Sequence, residues 1–161
     1  MSIPITLRPI GAGDEEFLYE VYAGTREQEM ATLSWPESQK ASFLRMQFNA
    51  QNASYQHHFP YADFCVIQSA DRLVGRLYVN RADDGILVID LALLPNDRRT
   101  GIGRKLLEAI FAEGEKTGKP VRAQVEWWNR AIDIFQKIGF RITGQNGSHY
   151  QIEWPPRPRA S

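Results

Sequence analysis

At 161 residues the chain has the length of one ordinary domain, which excludes a catalytic domain joined to a separate regulatory one. Its 19 lysines and arginines balance 19 aspartates and glutamates, so it lacks the basic excess that wholesale binding to a nucleic-acid backbone needs. With 43% hydrophobic and 11% aromatic residues it can bury a substantial core, which rules out the composition of a disordered chain.

In chain order, Ile3, Ile5 and Leu7 alternate with Pro4, Thr6 and Arg8 and predict a short strand, which Pro4 places at an edge or a strand start, in a segment without the charged and long apolar regions expected of a leader. Asp14 is placed to cap a helix bearing Phe17, Leu18, Val21 and Tyr22, and Gly24 to end it. Ser34 and Glu37, three apart around Pro36, predict a capping box for a second helix carrying Ala41, Leu44 and Phe48. Residues 49–60, with the His57-His58 pair, read as a polar loop, where adjacent histidines serve a solvated turn better than a metal site.

From residue 62 the period becomes strand-like, over 62–68 and 73–80. Cys65 lies in the first of these and reads as a small buried residue; as the lone cysteine it excludes an intramolecular disulfide or thiolate metal cluster and suits a reducing cytosol. Residues 86–94 are apolar on both faces except at Asp90, the pattern of a central strand covered on two sides, closed by Pro95. A helix follows from about Gly101 to Thr117 with Ile102, Leu106, Ala109 and Ile110 inward. Residues 121–126 predict a strand, 129–138 a helix capped by Gly139, and 140–143 with 150–154 a hairpin across Gln145-Asn146-Gly147. The Pro- and Arg-rich segment 155–161 reads as an extended tail, leaving 1–154 as the folded domain. The order, β-α-α-β-β-β-α-β-α-β-β, is that of an α/β fold with a mixed sheet.

The chemistry points to Asp97-Arg98-Arg99-Thr100-Gly101-Ile102-Gly103-Arg104, set between a buried strand and an amphipathic helix. Glycines allow close backbone approach, and free N–H groups at a helix start beside arginines suit a phosphate or pyrophosphate, although a tight strand-to-helix turn also calls for glycine. A dinucleotide fingerprint would need a third glycine where Leu106 stands, and a Walker loop would need Lys-Ser/Thr after Gly103, where Arg104-Lys105 stand. A phosphate-bearing ligand that needs no metal, such as coenzyme A, fits what remains.

The segment Arg98-Arg99-Thr100-Gly101-Ile102-Gly103 after Leu91-Ala92-Leu93-Leu94-Pro95, followed downstream by Asn129, Ala131, Phe135 and Gly139-Phe140, resembles the signature of the GNAT superfamily of acyl-CoA N-acyltransferases. The resemblance covers nearly the whole chain. It implies a mostly antiparallel twisted sheet of six to seven strands, flanked by about four helices, with a splayed central parallel pair. It further implies acetyl transfer from acetyl-CoA to a primary amine, on a small molecule or a protein, by a cytoplasmic enzyme acting as monomer or homodimer, with no metal, nucleic acid or membrane involved. In such a fold the main chain at Leu91, Ala92 and Leu93 binds the pantetheine arm, residues Arg98 to Arg104 bind the pyrophosphate, and Asn129 and Phe135 touch the cofactor. Asn129 is equally suited to cap the helix that it opens.

An ammonium with a pKa of about 10.4 is almost wholly protonated at neutral pH, so a base or water wire must deprotonate it. Asp90, flanked by Ile89 and Leu91, is the first candidate; alternatively it accepts hydrogen bonds from Arg76 or the main chain and serves structure. The family commonly has a tyrosine where Phe135 stands. Acid help for the departing thiolate would then come from Tyr150, Tyr22 or solvent, or the protein would be a weakly active or non-catalytic CoA-binding domain. Trp127-Trp128 could stack a ligand or pack in the core, and Arg26-Glu27-Gln28-Glu29 lies where relatives shape the acceptor site.

Overall fold

The computed structural model describes residues 4–126 and 131–154; Trp127, Trp128 and Asn129 and the segment 155–161 lie outside them. Seven strands, β1 (Ile5–Pro9), β2 (Asp63–Ser69), β3 (Arg72–Ala82), β4 (Gly85–Leu93), β5 (Val121–Glu126), β6 (Arg141–Asn146) and β7 (His149–Trp154), form one mixed sheet in the order β1-β2-β3-β4-β5-β7-β6. Five helices accompany them: α1 (Glu15–Thr25), α2 (Glu27–Ala31), α3 (Glu37–His58), α4 (Ile102–Thr117) and α5 (Ala131–Lys137). The parallel pair is β4 with β5, in register from Ile86 opposite Val121 to Val88 opposite Ala123, while β4 continues to Leu93 and β5 to Glu126. No helix of the described residues is long and apolar enough to cross a membrane.

The chain forms two compact units, residues 1–78 with 90–103 and residues 79–89 with 104–161. In the first, Leu18 and Tyr22 of α1, Met30 of α2, Leu44 and Phe48 of α3 and Val66 of β2 make the core, with Tyr19 edge-on to Phe48 at 5.7 Å. β1 pairs antiparallel with β2, Ile5 opposite Ser69. In the second, Phe111 of α4 stacks on Trp154 at 4.7 Å and meets Phe140 edge-on at 5.1 Å, beside the antiparallel β5-β7-β6 ladders.

Several local expectations change. Residues 49–58 are helical, because Leu44, Phe48, Gln51 and Tyr55 fall on one stripe at spacings of four, three and four, and the His57-His58 pair lies in the last turn of α3. Ser34 does not cap α3; Pro36 occupies that position, with no side-chain cap bond. The inward stripe of α4 is Ile102, Leu107, Ile110 and Phe111, with Ala109 exposed and Leu106 half-buried. The final hairpin is longer on its first arm and turns at Gly147-Ser148, since β6 runs to Asn146.

Asp14 does not cap α1 through its side chain. It closes a 3-10 turn, and its carboxylate accepts bonds from Arg8 at 2.8 and 3.0 Å and from the Gly11 N–H at 2.7 Å. The Arg8 guanidinium and then the Gly11 N–H hold this carboxyl below its ordinary pKa. A group depressed in the folded state contributes stability that is complete above the unfolded value of about 3.9 and is lost as pH falls through the lower folded value. Urea unfolding of the parent and of Asp14→Asn should therefore differ most at pH 7 and converge toward pH 2; a gap independent of pH would disprove the coupling.

Candidate active site

β4 delivers the chain to a short 3-10 turn, Pro95–Asp97, and then to the loop that opens α4. The loop is braced from beneath. Asp97, buried, holds Arg72 through both carboxylate oxygens at 2.6 and 3.1 Å, and its carbonyl accepts the Thr100 hydroxyl at 2.6 Å. Arg98 Nε donates to the Leu93 carbonyl at 3.2 Å. Two residues then take the left-handed conformation, Arg99 at φ 63° and Gly101 at φ 88°. For arginine this is an uncommon backbone state.

The Ile102 side chain is buried, so this residue presents only its main chain to a ligand. Gly103 stands in the first turn of α4, and a Cβ built there would lie 3.8 Å from Leu91 Cδ2 and 4.0 Å from Leu93 Cδ1. The loop thus sits against the end of β4. Arg98, Arg99, Arg104 and Lys105 are all exposed around the α4 N-terminus, whose first turn has no acidic residue. A helix start favours anions, so cations gathered there repel the dipole unless an anion joins them. Arg104 also reaches Glu108 at 3.1 Å on the solvated face.

Beneath β4, Gly75 of β3 faces Ala92 and Leu93 so closely that a Cβ would strike the Ala92 carbonyl oxygen and approach Leu93 Cδ2 to 2.9 Å. Only glycine fits there. One residue on, Arg76 is 1% exposed and donates to Asp90 Oδ2 at 2.8 Å and to Gln51 Oε1 at 3.0 Å. Tyr55 donates to the same Asp90 oxygen at 2.9 Å. Arg76 Nε and Nη1 are buried without a hydrogen-bond partner among the described residues.

Burial opposes the Arg76 charge, but Asp90, Tyr78 and Tyr55 outweigh it and its pKa rises. Burial, reinforced by the Asp90 charge, pushes the Tyr55 phenol well above its ordinary value, so Tyr55 stays protonated and acts as a hydrogen-bond donor. Tyr78 is raised too, chiefly by burial, and its ring meets Tyr55 edge-on at 5.9 Å and Phe64 at 4.9 Å. Tyr22 is raised by burial and accepts a bond from Arg26 Nη1 at 3.0 Å.

Of the expected site residues, Asp90, Leu91, Ala92, Leu93 and Arg98 to Gly103 therefore form one contiguous run in the first unit. Tyr150 lies in β7, half-buried and opposite Val125 of β5, and Phe135 of α5 packs edge-on against Phe140 at 5.6 Å. Asn129 lies outside the described residues. Tyr55 and Gln51 are partners of the site that the loop reading of 49–60 missed; the stripe from Leu44 to Tyr55 was their signal. Cys65 is half-buried in β2, and no group of three or more metal-ligating side chains occurs among the described residues.

The family model of the acetyltransferase (GNAT) domain matches residues 60–142, a little over half of the chain, and that range contains Asp90, the braced loop and α4. Among solved structures, PaiA N-acetyltransferase from Thermoplasma acidophilum, in complex with coenzyme A, superposes with a TM-score of 0.70 at 21% identity, over 95% of this chain and 99% of that one. The ribosomal-protein-S18-alanine N-acetyltransferase from Escherichia coli gives 0.64 at 18% identity, over 98% and 97%. PH1933 from Pyrococcus horikoshii gives 0.70 at 18%, over 96% and 100%. At such identities the likeness is one of fold. No curated protein sequence matches the chain significantly. The strand, glycine turn and helix described above lie within the family match, and the chain belongs to the GNAT acetyltransferase family.

Proposed function

We propose that this protein transfers an acetyl group from acetyl-CoA to the nitrogen of a primary amine by direct attack in a ternary complex. The observation that carries this reading is the α4 N-terminus, where Arg98, Arg99, Arg104 and Lys105 surround a helix start whose glycines leave the main chain approachable. The residues suit the ligand: Gly103 leaves only an ordinary contact distance above Leu91, and the cations match a pyrophosphate. The N–H groups of Thr100 to Arg104 would hold the pyrophosphate, and the main chain of Leu91 to Leu93 would pair with the pantetheine arm as an added strand. Asn129 and Phe135 complete this assignment on the family's pattern. Acetyl-CoA supplies the activated acyl group.

The reaction balances simply. The amine lone pair forms the new N–C bond, the C–S bond breaks, nitrogen loses one proton and sulfur gains one. Asp90, directly or through water, takes the proton from nitrogen, with Tyr55 and Arg76 fixing the carboxylate through Oδ2. Phe135 has no hydroxyl, so the proton for the thiolate comes from Tyr150 or from solvent.

Calorimetric titration with acetyl-CoA should give a dissociation constant well below millimolar, and no heat at millimolar ligand would overturn the cofactor assignment. Thiol release that depends on added amine would then support the enzyme. Binding without release across an amine panel would favour the reading in which Phe135 marks a CoA-binding domain without catalysis.

A further inference from the structure

The turn from β4 into α4 carries Arg99 with a left-handed backbone at φ 63°, a state that residues other than glycine adopt in only a few per cent of cases. Such a state persists where the surrounding structure imposes it. Two residues upstream, Asp97 is 4% exposed, and its carboxylate accepts from the Arg72 guanidinium with both oxygens, at 2.6 and 3.1 Å. The Leu94 N–H donates to the Val74 carbonyl at 2.8 Å, a second tie from the turn to β3. Beyond Arg99, the Thr100 hydroxyl returns to the Asp97 carbonyl at 2.6 Å. Asp97 is thus fixed through its side chain and in turn fixes Thr100, and Arg99 stands between the two.

The Arg72 side chain is 61% exposed, so water can hydrate its charge, and what it supplies to buried Asp97 is direction. Two parallel N–H bonds set the plane of a carboxylate, which a single point charge would leave free to turn. Arg72 opens β3, 25 positions before Asp97 and outside the run from Arg98 to Arg104 that surrounds the α4 N-terminus.

We infer that the Arg72–Asp97 pair is a positioning clamp for cofactor binding: it holds Arg99 left-handed and so aims the N–H groups of Thr100 to Gly103 before the pyrophosphate arrives. This rests on the acetyl-CoA reading of the loop and adds residues outside the glycine segment to it. Without the clamp, Arg99 would occupy the competent state for a few per cent of the time. Apparent affinity falls with that fraction, by about tenfold or more. Glycine enters the left-handed region about as readily as the right-handed one and needs no clamp.

Two measurements test this, and they fail separately. The variant is Arg72→Met with Asp97→Leu, which keeps the net charge and leaves no buried carboxylate unpaired, so weaker binding is not a loss of overall attraction. Calorimetry should give a dissociation constant for acetyl-CoA at least about tenfold above the parent. In the Arg99→Gly background the same two substitutions should cost less than about threefold, and the cation lost at position 99 cancels in the comparison. An unchanged constant, or an equal cost in both backgrounds, would overturn the clamp. A parent that does not bind acetyl-CoA would overturn the cofactor reading and the binding role together.

The second measurement needs no cofactor. Tryptic cleavage after Arg98 or Arg99, read by mass spectrometry against cleavage after Arg122 within β5, compares opening of the turn with opening of the fold. The ratio should rise at least about fivefold in the double variant; a ratio equal to the parent's would show that the pair does not hold the turn, whether or not acetyl-CoA binds. Should the double variant fail to fold, Arg72→Lys keeps the charge and loses the planar fork. It should raise both the dissociation constant and the cleavage ratio about threefold or more, and parent-like values of either would overturn the inference.

Discussion

Gly103→Glu is expected to raise the dissociation constant for acetyl-CoA at least about 100-fold, equivalent to about 2.7 kcal/mol, while the thermal midpoint stays near that of the parent. Gly103 does not adopt a left-handed φ, and a Cβ there would make only ordinary contacts with Leu91 and Leu93, so the fold has room for a side chain. A carboxylate in the first turn of α4 even interacts favourably with the helix dipole, by roughly 0.3–1 kcal/mol. The same carboxylate would occupy and repel the place of a pyrophosphate. Gly103→Ala, which adds volume without charge, should bind more tightly than the Glu variant. Calorimetry paired with a melting curve reads both halves; a Glu variant that binds like the parent would remove this loop from the cofactor site.

The second large effect is at Asp90. Asp90→Ala should destabilise the protein by about 3–5 kcal/mol, because it strands the buried Arg76 guanidinium with its counter-ion gone. Among the described residues Arg76 Nε and Nη1 already have no hydrogen-bond partner, and loss of Asp90 leaves Nη2 with its bond to Gln51. Asp90→Asn retains a carbonyl for Tyr55 or Arg76 and should cost less. Urea unfolding of Asp90→Ala, Arg76→Met and the double variant gives the coupling, and additive costs would show that the pair is not acting as one. Turnover of the folded Asn variant across pH addresses chemistry separately: an unaltered profile would leave Asp90 as a structural anchor for β4.

Much of this fold was legible because its strongest signals are local. The doubly apolar run broken only by Asp90, the Pro95 stop and the Gly101-x-Gly103 helix start each appear where the structure has them. What failed to show in the letters depends on tertiary partners. Asp14 carries the residue type of a helix cap, but Arg8, from the preceding strand, holds its carboxylate with two short bonds. The end of α3 looked polar because Asn49, Asn52, His57 and His58 dominate it, and only the sparse stripe through Phe48 and Tyr55 reports the buried side. Once that stretch is helical, Tyr55 reaches Asp90, 35 positions away, a pairing that no local window contains. In α4 the periodicity was right and its phase was not, since Leu107 and Phe111 rather than Leu106 and Ala109 are the buried pair.

Gly75 separates the parts of the molecule that can drift from those that cannot. With the Ala92 carbonyl pressed against it, no larger residue can stand at that position without displacing β4. A cleft between α2 and α3, by contrast, is lined by side chains on an open surface, where changes in ring size or charge need not disturb a strand. Variation between residues 26 and 43 can therefore accumulate on an unaltered β4. A combinatorial library meant to keep the fold belongs in that segment, with residues 72–103 held constant.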